Sequence, residues 1–218
     1  MPDQQPDGYL ALPHGGAGSG VLVLHAWWGL NDTIKTLCDR LAEAGFVAFA
    51  PDLYHGKVAT TIAAAEALGG ALDADYMQAK AEIAEAAAFL SERAGNNERL
   101  AVLAFSLGAY YALDLAAAQP GRIGSVVLFY GTGGDEFSHS RASYLGHFAE
   151  HDPYVSASDV DELEDTLKRA GRPVTFYRYG GTQHWFFEPD RTDAYDEAAA
   201  SLAWERTLAF LRRSPEET

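Results

Sequence analysis

Residues 100–109, LAVLAFSLGA, decide the fold of this 218-residue chain. The apolar run Leu100–Phe105 predicts a buried strand, and the residues after Ser106 have the composition of a helix. A tight turn between a strand and a helix strains the backbone of the turn residue and lifts its side chain clear of the sheet. Small residues at Ala104 and Gly108 permit the close approach that such a turn needs. Ser106 is therefore a candidate nucleophile, although a serine that merely caps a helix gives the same local pattern.

Apolar segments of strand length alternate with longer helical patterns along the rest of the chain, which predicts an α/β fold with a mostly parallel sheet. Most strand candidates are continuously apolar, as expected when helices cover both faces of a sheet. The predicted strands are Gly8–Leu12 (a short edge strand), Val21–His25, Phe46–Ala50, Leu100–Phe105, Ser125–Tyr130, Ser143–Ala149 and Val174–Tyr179. The predicted helices are Thr33–Ala44, Asp73–Ala94, Leu107–Gln119, Ser158–Ala170 and Thr192–Arg213.

Local signals refine this outline. Asn31 or Asp32 can cap the first helix, and Ser158-x-x-Asp161 is similar to a capping box. The glycines of residues 16–20 precede a strand, so we interpret them as a hairpin turn and not as a dinucleotide-binding loop. Residues 56–72 are compatible with a short helix or a mobile flap. The chain shows neither an internal repeat nor a linker, and we predict one domain over residues 1–218.

The composition excludes several classes of function. With 31 acidic and 16 basic residues the net charge is -15, which disfavours nucleic acid and anionic membranes as partners. Cys38 is the single cysteine, so no disulfide can form within the chain. The first residues lack the basic and apolar blocks of a signal peptide, and no apolar run approaches the roughly 20 residues of a membrane span. We expect a soluble cytoplasmic protein, monomeric or homodimeric.

Two further residues complete a nucleophilic site on Ser106. A serine becomes nucleophilic through a general base, which a carboxylate must orient. Asp152 follows the strand that begins at Ser143, and His184 follows the strand that begins at Val174. Because carboxyl ends of parallel strands meet at one edge of a sheet, the order Ser, Asp, His predicts a catalytic triad at that edge.

The remaining site residues are assigned by position. The N–H of Leu107 lies at a predicted helix N-terminus, where a developing oxyanion is favoured. The N–H of Trp27, after the strand that ends at His25, is the second candidate donor. Trp28 and Tyr54 are candidate pocket walls. The site needs no cofactor and no metal.

The chain resembles the dienelactone hydrolase family over nearly its whole length. The matching segments are Val23–Asn31, Pro51–Tyr54, Phe105–Ala109, Asp152–Val155, Gly180–Phe187 and Tyr195–Phe210. The resemblance implies an α/β-hydrolase fold without a large lid, and an activity on ester or lactone carbonyls.

Three positions depart from the family pattern. Ser106 replaces the cysteine of the enzymes that open dienelactone, and Ala26 replaces the glutamate that contacts the thiol in those enzymes. Glu188 stands four residues after His184, where the family holds the substrate carboxylate with an arginine. A glutamate in the pocket would repel an anionic substrate, so we expect a neutral or cationic ester.

We therefore predict a serine hydrolase that cleaves a small ester or lactone through an acyl-enzyme. Two alternatives stay open at this point. The same triad could serve an acyl transferase or a peptidase, or the chain could be a catalytically silent binding protein with this fold.

Overall fold

The computed structural model describes residues 5–94 and 99–213, so the ends of the predicted domain 1–218 lie outside the description. The strands are β1 (Gly8–Ala11), β2 (Gly20–Leu24), β3 (Val47–Pro51), β4 (Leu100–Phe105), β5 (Ile123–Phe129), β6 (Ser143–His151) and β7 (Val174–Gln183). They form one sheet in the order β1-β3-β2-β4-β5-β6-β7. The β1–β3 pair is antiparallel and the other pairs are parallel, which confirms the predicted mostly parallel sheet.

The helices cover both faces of this sheet, as predicted. They are α1 (Asp32–Glu43), α2 (Ile62–Ala74), α3 (Tyr76–Ala94), α4 (Leu107–Ala118), α5 (Ala157–Arg169) and α6 (Glu197–Leu211). Successive side chains of a strand point to opposite faces, so the continuously apolar strands feed two cores. Val102 of β4 packs in the core beneath α3 and α4, whereas Leu103 packs in the core beneath α1 and α6.

Residues 56–72 are helical from Ile62 onward, since α2 begins there behind the Thr61 cap. The helix predicted to begin at Asp73 begins instead at Tyr76, after Asp75 ends α2. The α2 backbone passes close to the predicted site, because a Cβ at Gly69 would lie 3.1 Å from the Trp27 indole nitrogen.

The start predicted for α5 at Ser158 is wrong. The chain contains two serines with an aspartate three residues later, and the first pair forms the capping box. The Ser156 hydroxyl accepts from the Asp159 N–H at 3.2 Å, and the Asp159 carboxylate accepts from the Ser156 N–H at 3.1 Å. The start predicted for α6 at Thr192 is also wrong, because Asp196 caps that helix.

The hairpin predicted at residues 16–20 is not formed. β1 and β2 lie on opposite sides of β3, so the glycine-rich segment connects two strands that are not neighbours. A hairpin needs its two strands to pair directly. Across the described residues, no helix is long and apolar enough to span a bilayer.

Candidate active site

The turn between β4 and α4 holds Ser106 in a strained conformation. Its φ is 48° and its ψ is -114°, a region that residues with a Cβ seldom occupy. The Ser106 N–H donates to the Phe129 carbonyl at 2.9 Å, which ties the turn to β5. Although Ser106 stands at the N-cap position of α4, its side chain makes no capping hydrogen bond. The hydroxyl is thus left for a partner elsewhere, and a purely capping role does not describe this serine.

Two glycines allow the turn to pack against its neighbours. A Cβ at Gly108 would lie 2.6 Å from the Leu24 carbonyl oxygen and 2.8 Å from that of His25, both backbone atoms. A Cβ at Gly131, just after β5, would lie 3.1 Å from the Ser106 Cα. The turn pattern in the sequence indicated Gly108, but nothing local to the turn indicated Gly131.

Asp152 and His184 leave the sheet side by side. β6 and β7 extend beyond their predicted ends at Ala149 and Tyr179, and His151 pairs with Gln183 at the end of the ladder. Asp152 and His184 are the next residues after this pair, so the sheet register itself brings them together. His184 Nδ1 and Asp152 Oδ2 are 2.7 Å apart, and both side chains are buried, at 3% and 4% exposure.

A continuous hydrogen-bonded series links the carboxylate to the serine. His184 Nε2 lies 3.0 Å from Ser106 Oγ. On the far side, Asp152 Oδ1 accepts from the N–H groups of Tyr154 and Val155 at 2.9 Å and 3.0 Å. These two amides fix the carboxylate, which in turn fixes the imidazole with Nε2 toward the hydroxyl. This is the arrangement in which an imidazole can take a proton from a serine.

The two predicted oxyanion donors, Leu107 and Trp27, follow the neighbouring strands β4 and β2. Leu107 is the first residue of α4, so its N–H points out of the helix N-terminus. Trp27 follows β2, which pairs with β4 next to the turn. In the part of the chain that the structure describes, neither N–H donates to a protein acceptor. Both amides are therefore available to a ligand.

The three residues predicted for the substrate pocket are buried in the protein interior. Trp28, Tyr54 and Glu188 are 3%, 4% and 1% exposed. Trp28 packs against Trp185 with ring centroids 5.2 Å apart, and the Arg191 guanidinium lies 4.1 Å above the Trp28 ring.

Glu188 contacts another aromatic residue that the sequence did not indicate. The Tyr130 hydroxyl donates to Glu188 Oε1 at 2.7 Å, and the Tyr130 ring lies 4.8 Å from the His184 ring. Burial, with a smaller contribution from Asp190, raises the pKa of Glu188 to about 8. The hydrogen bond from Tyr130 opposes this shift without overcoming it. Glu188 is thus a largely neutral acid at pH 7, and its partner Tyr130 packs against the His184 ring.

Aromatic rings pack against the His184 imidazole. The rings of Tyr154 and Trp185 each lie 4.9 Å from the imidazole, and Trp27 contacts Tyr154 at 5.5 Å. Tyr154 is 44% exposed. We call Trp27, Tyr154 and Trp185 the aromatic wall. Tyr154 and Trp185 lie within two residues of Asp152 and His184 in the chain, and Trp27 is a predicted oxyanion donor, so this signal was present in the sequence.

His147 and Cys38 are two further titratable residues that are buried in the protein interior. His147 is buried between Tyr179 and Thr207 at 2.8 Å and 3.0 Å, and its pKa is lowered to about 3 by burial. Cys38 is buried in α1, and burial raises its pKa to about 12. Within residues 5–94 and 99–213, no cluster of three or more histidine, cysteine or acidic residues could hold a metal ion.

The sheet topology, the strained serine and the Ser–His–Asp series together define an α/β hydrolase. The dienelactone hydrolase family model matches residues 7–214. The chain belongs to the dienelactone hydrolase family, and it is a hydrolase of that type.

Similar proteins span nearly the whole chain. Protein usf of Aquifex pyrophilus is 34% identical over 213 residues, which cover 94% of this chain and 92% of the relative. A putative carboxymethylenebutenolidase of Aquifex aeolicus is 32% identical, with the same coverage. A probable 2-oxo-3-(5-oxofuran-2-ylidene)propanoate lactonase of a Bradyrhizobium species is 31% identical, and the match covers 94% of this chain and 88% of the relative.

Solved structures agree with the fold. The crystal structure of a putative dienelactone hydrolase from Klebsiella pneumoniae superposes with a TM-score of 0.81 at 24% identity. The match covers 94% of this chain and 92% of that one.

Proposed function

We propose that this chain hydrolyses small neutral esters or lactones through an acyl-enzyme formed on Ser106. The observation that carries the proposal is the series Ser106 Oγ, His184 Nε2, His184 Nδ1 and Asp152 Oδ2, with separations of 3.0 Å and 2.7 Å. The names of two relatives, a putative carboxymethylenebutenolidase and a probable lactonase, support the same class of bond.

The residues act in sequence. His184 takes the proton of Ser106 as the oxygen attacks the carbonyl carbon, and Asp152 stabilises the imidazolium. The N–H groups of Leu107 and Trp27 donate to the tetrahedral oxyanion. His184 then protonates the leaving alkoxide as its bond to the carbonyl carbon breaks, which leaves the acyl group on Ser106; an ester releases the alcohol, whereas a lactone keeps it as a hydroxyl of the acyl chain. In the second half a water loses a proton to His184 and attacks the acyl group, and the proton returns to Ser106 as the acid is released.

The surroundings of His184 favour a neutral, apolar substrate. The aromatic wall contributes rings and no formal charge next to the imidazole. The Arg191 guanidinium is already engaged, because it lies over the Trp28 ring and forms an ion pair with Asp190 at 2.7 Å. The buried Glu188 supplies no cation either. A substrate carboxylate would therefore lose its hydration without gaining a partner, which is unfavourable.

Replacement of the nucleophile tests the proposal. Ser106→Ala should lose both covalent labelling by a fluorophosphonate probe and hydrolysis of p-nitrophenyl butyrate, while Ser158→Ala, on α5, should retain both. Labelling that persists in Ser106→Ala would overturn the assignment. In the wild type, p-nitrophenyl butyrate should be cleaved with a higher kcat/KM than the p-nitrophenyl monoester of succinic acid, and the reverse ranking would refute the neutral substrate.

The alternatives give different results in the same assays. An acyl transferase would form a new ester or amide when alcohols or amines compete with water, and a peptidase would cleave peptide bonds with comparable efficiency. A silent binding protein would not be labelled at all.

A further inference from the structure

A second group of charged residues lies at the opposite edge of the sheet from Ser106. Arg99, Arg141 and Arg172 precede β4, β6 and β7, at the amino ends of these parallel strands. Arg212 and Arg213 follow the end of α6. We call these five residues the arginine cluster. The length of β4 separates it from the catalytic turn, a distance of about 20 Å at roughly 3.3 Å per residue.

These arginines line two adjoining cavities. One has a volume of about 290 Å³ and is lined by Arg99, Arg141, Arg172 and Arg213, with Phe210 at its side. The other, of about 300 Å³, is lined by Arg99, Arg212 and Arg213. The two cavities share Ser125 as well as Arg99 and Arg213. Among the described residues, no aspartate or glutamate lines either cavity.

Backbone carbonyls hold two members of the cluster in place. Arg99 Nη1 donates to the Arg141 carbonyl at 3.0 Å, and Arg172 Nη1 donates to the Ser140 carbonyl at 2.7 Å. Gly124 leaves room for the first of these, because a Cβ there would lie 2.9 Å from the Arg99 Cβ. Carbonyl partners orient a guanidinium but do not neutralise its charge, and each guanidinium has further N–H donors to offer.

Two arginines outside the cluster are paired with acids in the described structure. Arg178 contacts Asp161 and Glu164, and Arg191 contacts Asp190. No member of the arginine cluster forms an ion pair with a described residue. These five charges therefore lie together without a described acidic partner, although the chain has a net charge of -15 and its acids outnumber its bases about two to one. Five like charges around shared cavities repel one another unless an anion lies between them.

We propose that the arginine cluster is a binding site for a compact multivalent oxyanion of the phosphate type. Guanidinium groups bind such oxygens in bidentate pairs, and the hydroxyls of Ser125 and Ser143, which line the first cavity, can donate to the same group. Phe210 offers an apolar surface to the organic part of a phosphate monoester. The site is separate from Ser106, and its occupation does not depend on the proposed hydrolysis.

Calorimetric titration of the whole protein tests this site. Inorganic pyrophosphate and phenyl phosphate are the two probes, titrated at about 50 mM NaCl and again at higher salt. We expect one saturable site per chain for at least one probe. Tighter binding of phenyl phosphate than of pyrophosphate would assign the site to organic monoesters, and the reverse order would assign it to inorganic anions.

Charge-matched variants localise the binding. Arg141→Gln and Arg213→Gln should each weaken it by about tenfold or more, because each removes a charge-assisted hydrogen bond. Arg213 is exposed and follows α6, so its replacement provides a second test if Arg141→Gln fails to fold. Arg169→Gln removes the same charge from the exposed surface of α5, where Arg169 contacts Thr166, and should change binding less than twofold.

Three results would overturn the proposal. The first is no saturable binding of either probe below about 10 mM. The second is equal weakening in Arg169→Gln, which would mean unspecific attraction. The third is binding that appears only after Glu98, Glu216 and Glu217, acids close to the cluster in sequence, are changed to glutamine. That result would mean that the chain compensates these arginines itself.

Discussion

Glu188 should make this protein less stable as the pH rises from 5 to 8. The carboxyl is 1% exposed, Oε1 accepts from Tyr130, and Oε2 has no partner among the described residues. Its pKa is raised from 4.5 to about 8, so the folded protein keeps the proton that the unfolded chain releases above pH 4.5. Each pH unit within this window then costs the folded state about 1.4 kcal/mol, and the whole window up to about 5 kcal/mol.

Glu188→Gln removes this penalty and keeps the hydrogen bond, since the amide oxygen can accept from the Tyr130 hydroxyl. Below pH 4.5 both proteins are neutral at this position, so the difference in their free energies of unfolding is constant there. From pH 5 to 8 the free energy of unfolding of the variant should increase relative to that of the wild type by about 1.4 kcal/mol per pH unit. Urea unfolding at four pH values measures the difference.

Glu162→Gln is the matched control, because Glu162 is exposed on α5. Its stability should follow the wild type at every pH. Parallel curves for Glu188→Gln and the wild type would refute the reasoning, because they would mean that Glu188 ionises in the folded protein as it does in the unfolded chain.

Two further variants test the turn and the triad. Gly108→Ala should lower the free energy of unfolding by more than about 2 kcal/mol, since its Cβ would press on two backbone carbonyls, whereas Gly70→Ala in α2, with nothing within 4 Å, should raise the stability by up to about 1 kcal/mol. A thermal melt in which both glycine variants behave alike would contradict this. Asp152→Asn should retain the fold and reduce kcat for p-nitrophenyl butyrate by about 10⁴-fold, because the amide favours the wrong imidazole tautomer. A loss below tenfold would remove Asp152 from the proposed triad.

Local patterns in the sequence were sufficient for most of the elements and for the meeting of Ser106, Asp152 and His184. The continuous apolar run before Ser106 predicted a strand covered on both faces, and β4 is buried at five of its six positions. The positions of Asp152 and His184 after two later apolar runs predicted their meeting at one edge. This inference succeeded because parallel strands carry their carboxyl ends to the same edge whatever their exact lengths.

Predictions that depended on competition between similar local signals were less successful. Ser156 and Ser158 offer equivalent capping patterns, and only the hydrogen bonds of the folded chain select Ser156. The glycine-rich segment between β1 and β2 has the composition of a hairpin turn. Strand pairing depends on the whole sheet. Here β3 lies between β1 and β2 and pairs with both, so β1 and β2 do not pair with each other.

The sequence by itself determined an α/β sheet with a serine, an aspartate and a histidine at its carboxyl edge, because strand periodicity and chain order are local properties. Only the tertiary structure decided that Glu188 is buried against Tyr130 while Tyr154 and Trp185 face the imidazole. It also placed five arginines, spread over more than 100 residues of sequence, around two shared cavities. Burial and charge clustering depend on segments distant in the chain, so no window of sequence contains them.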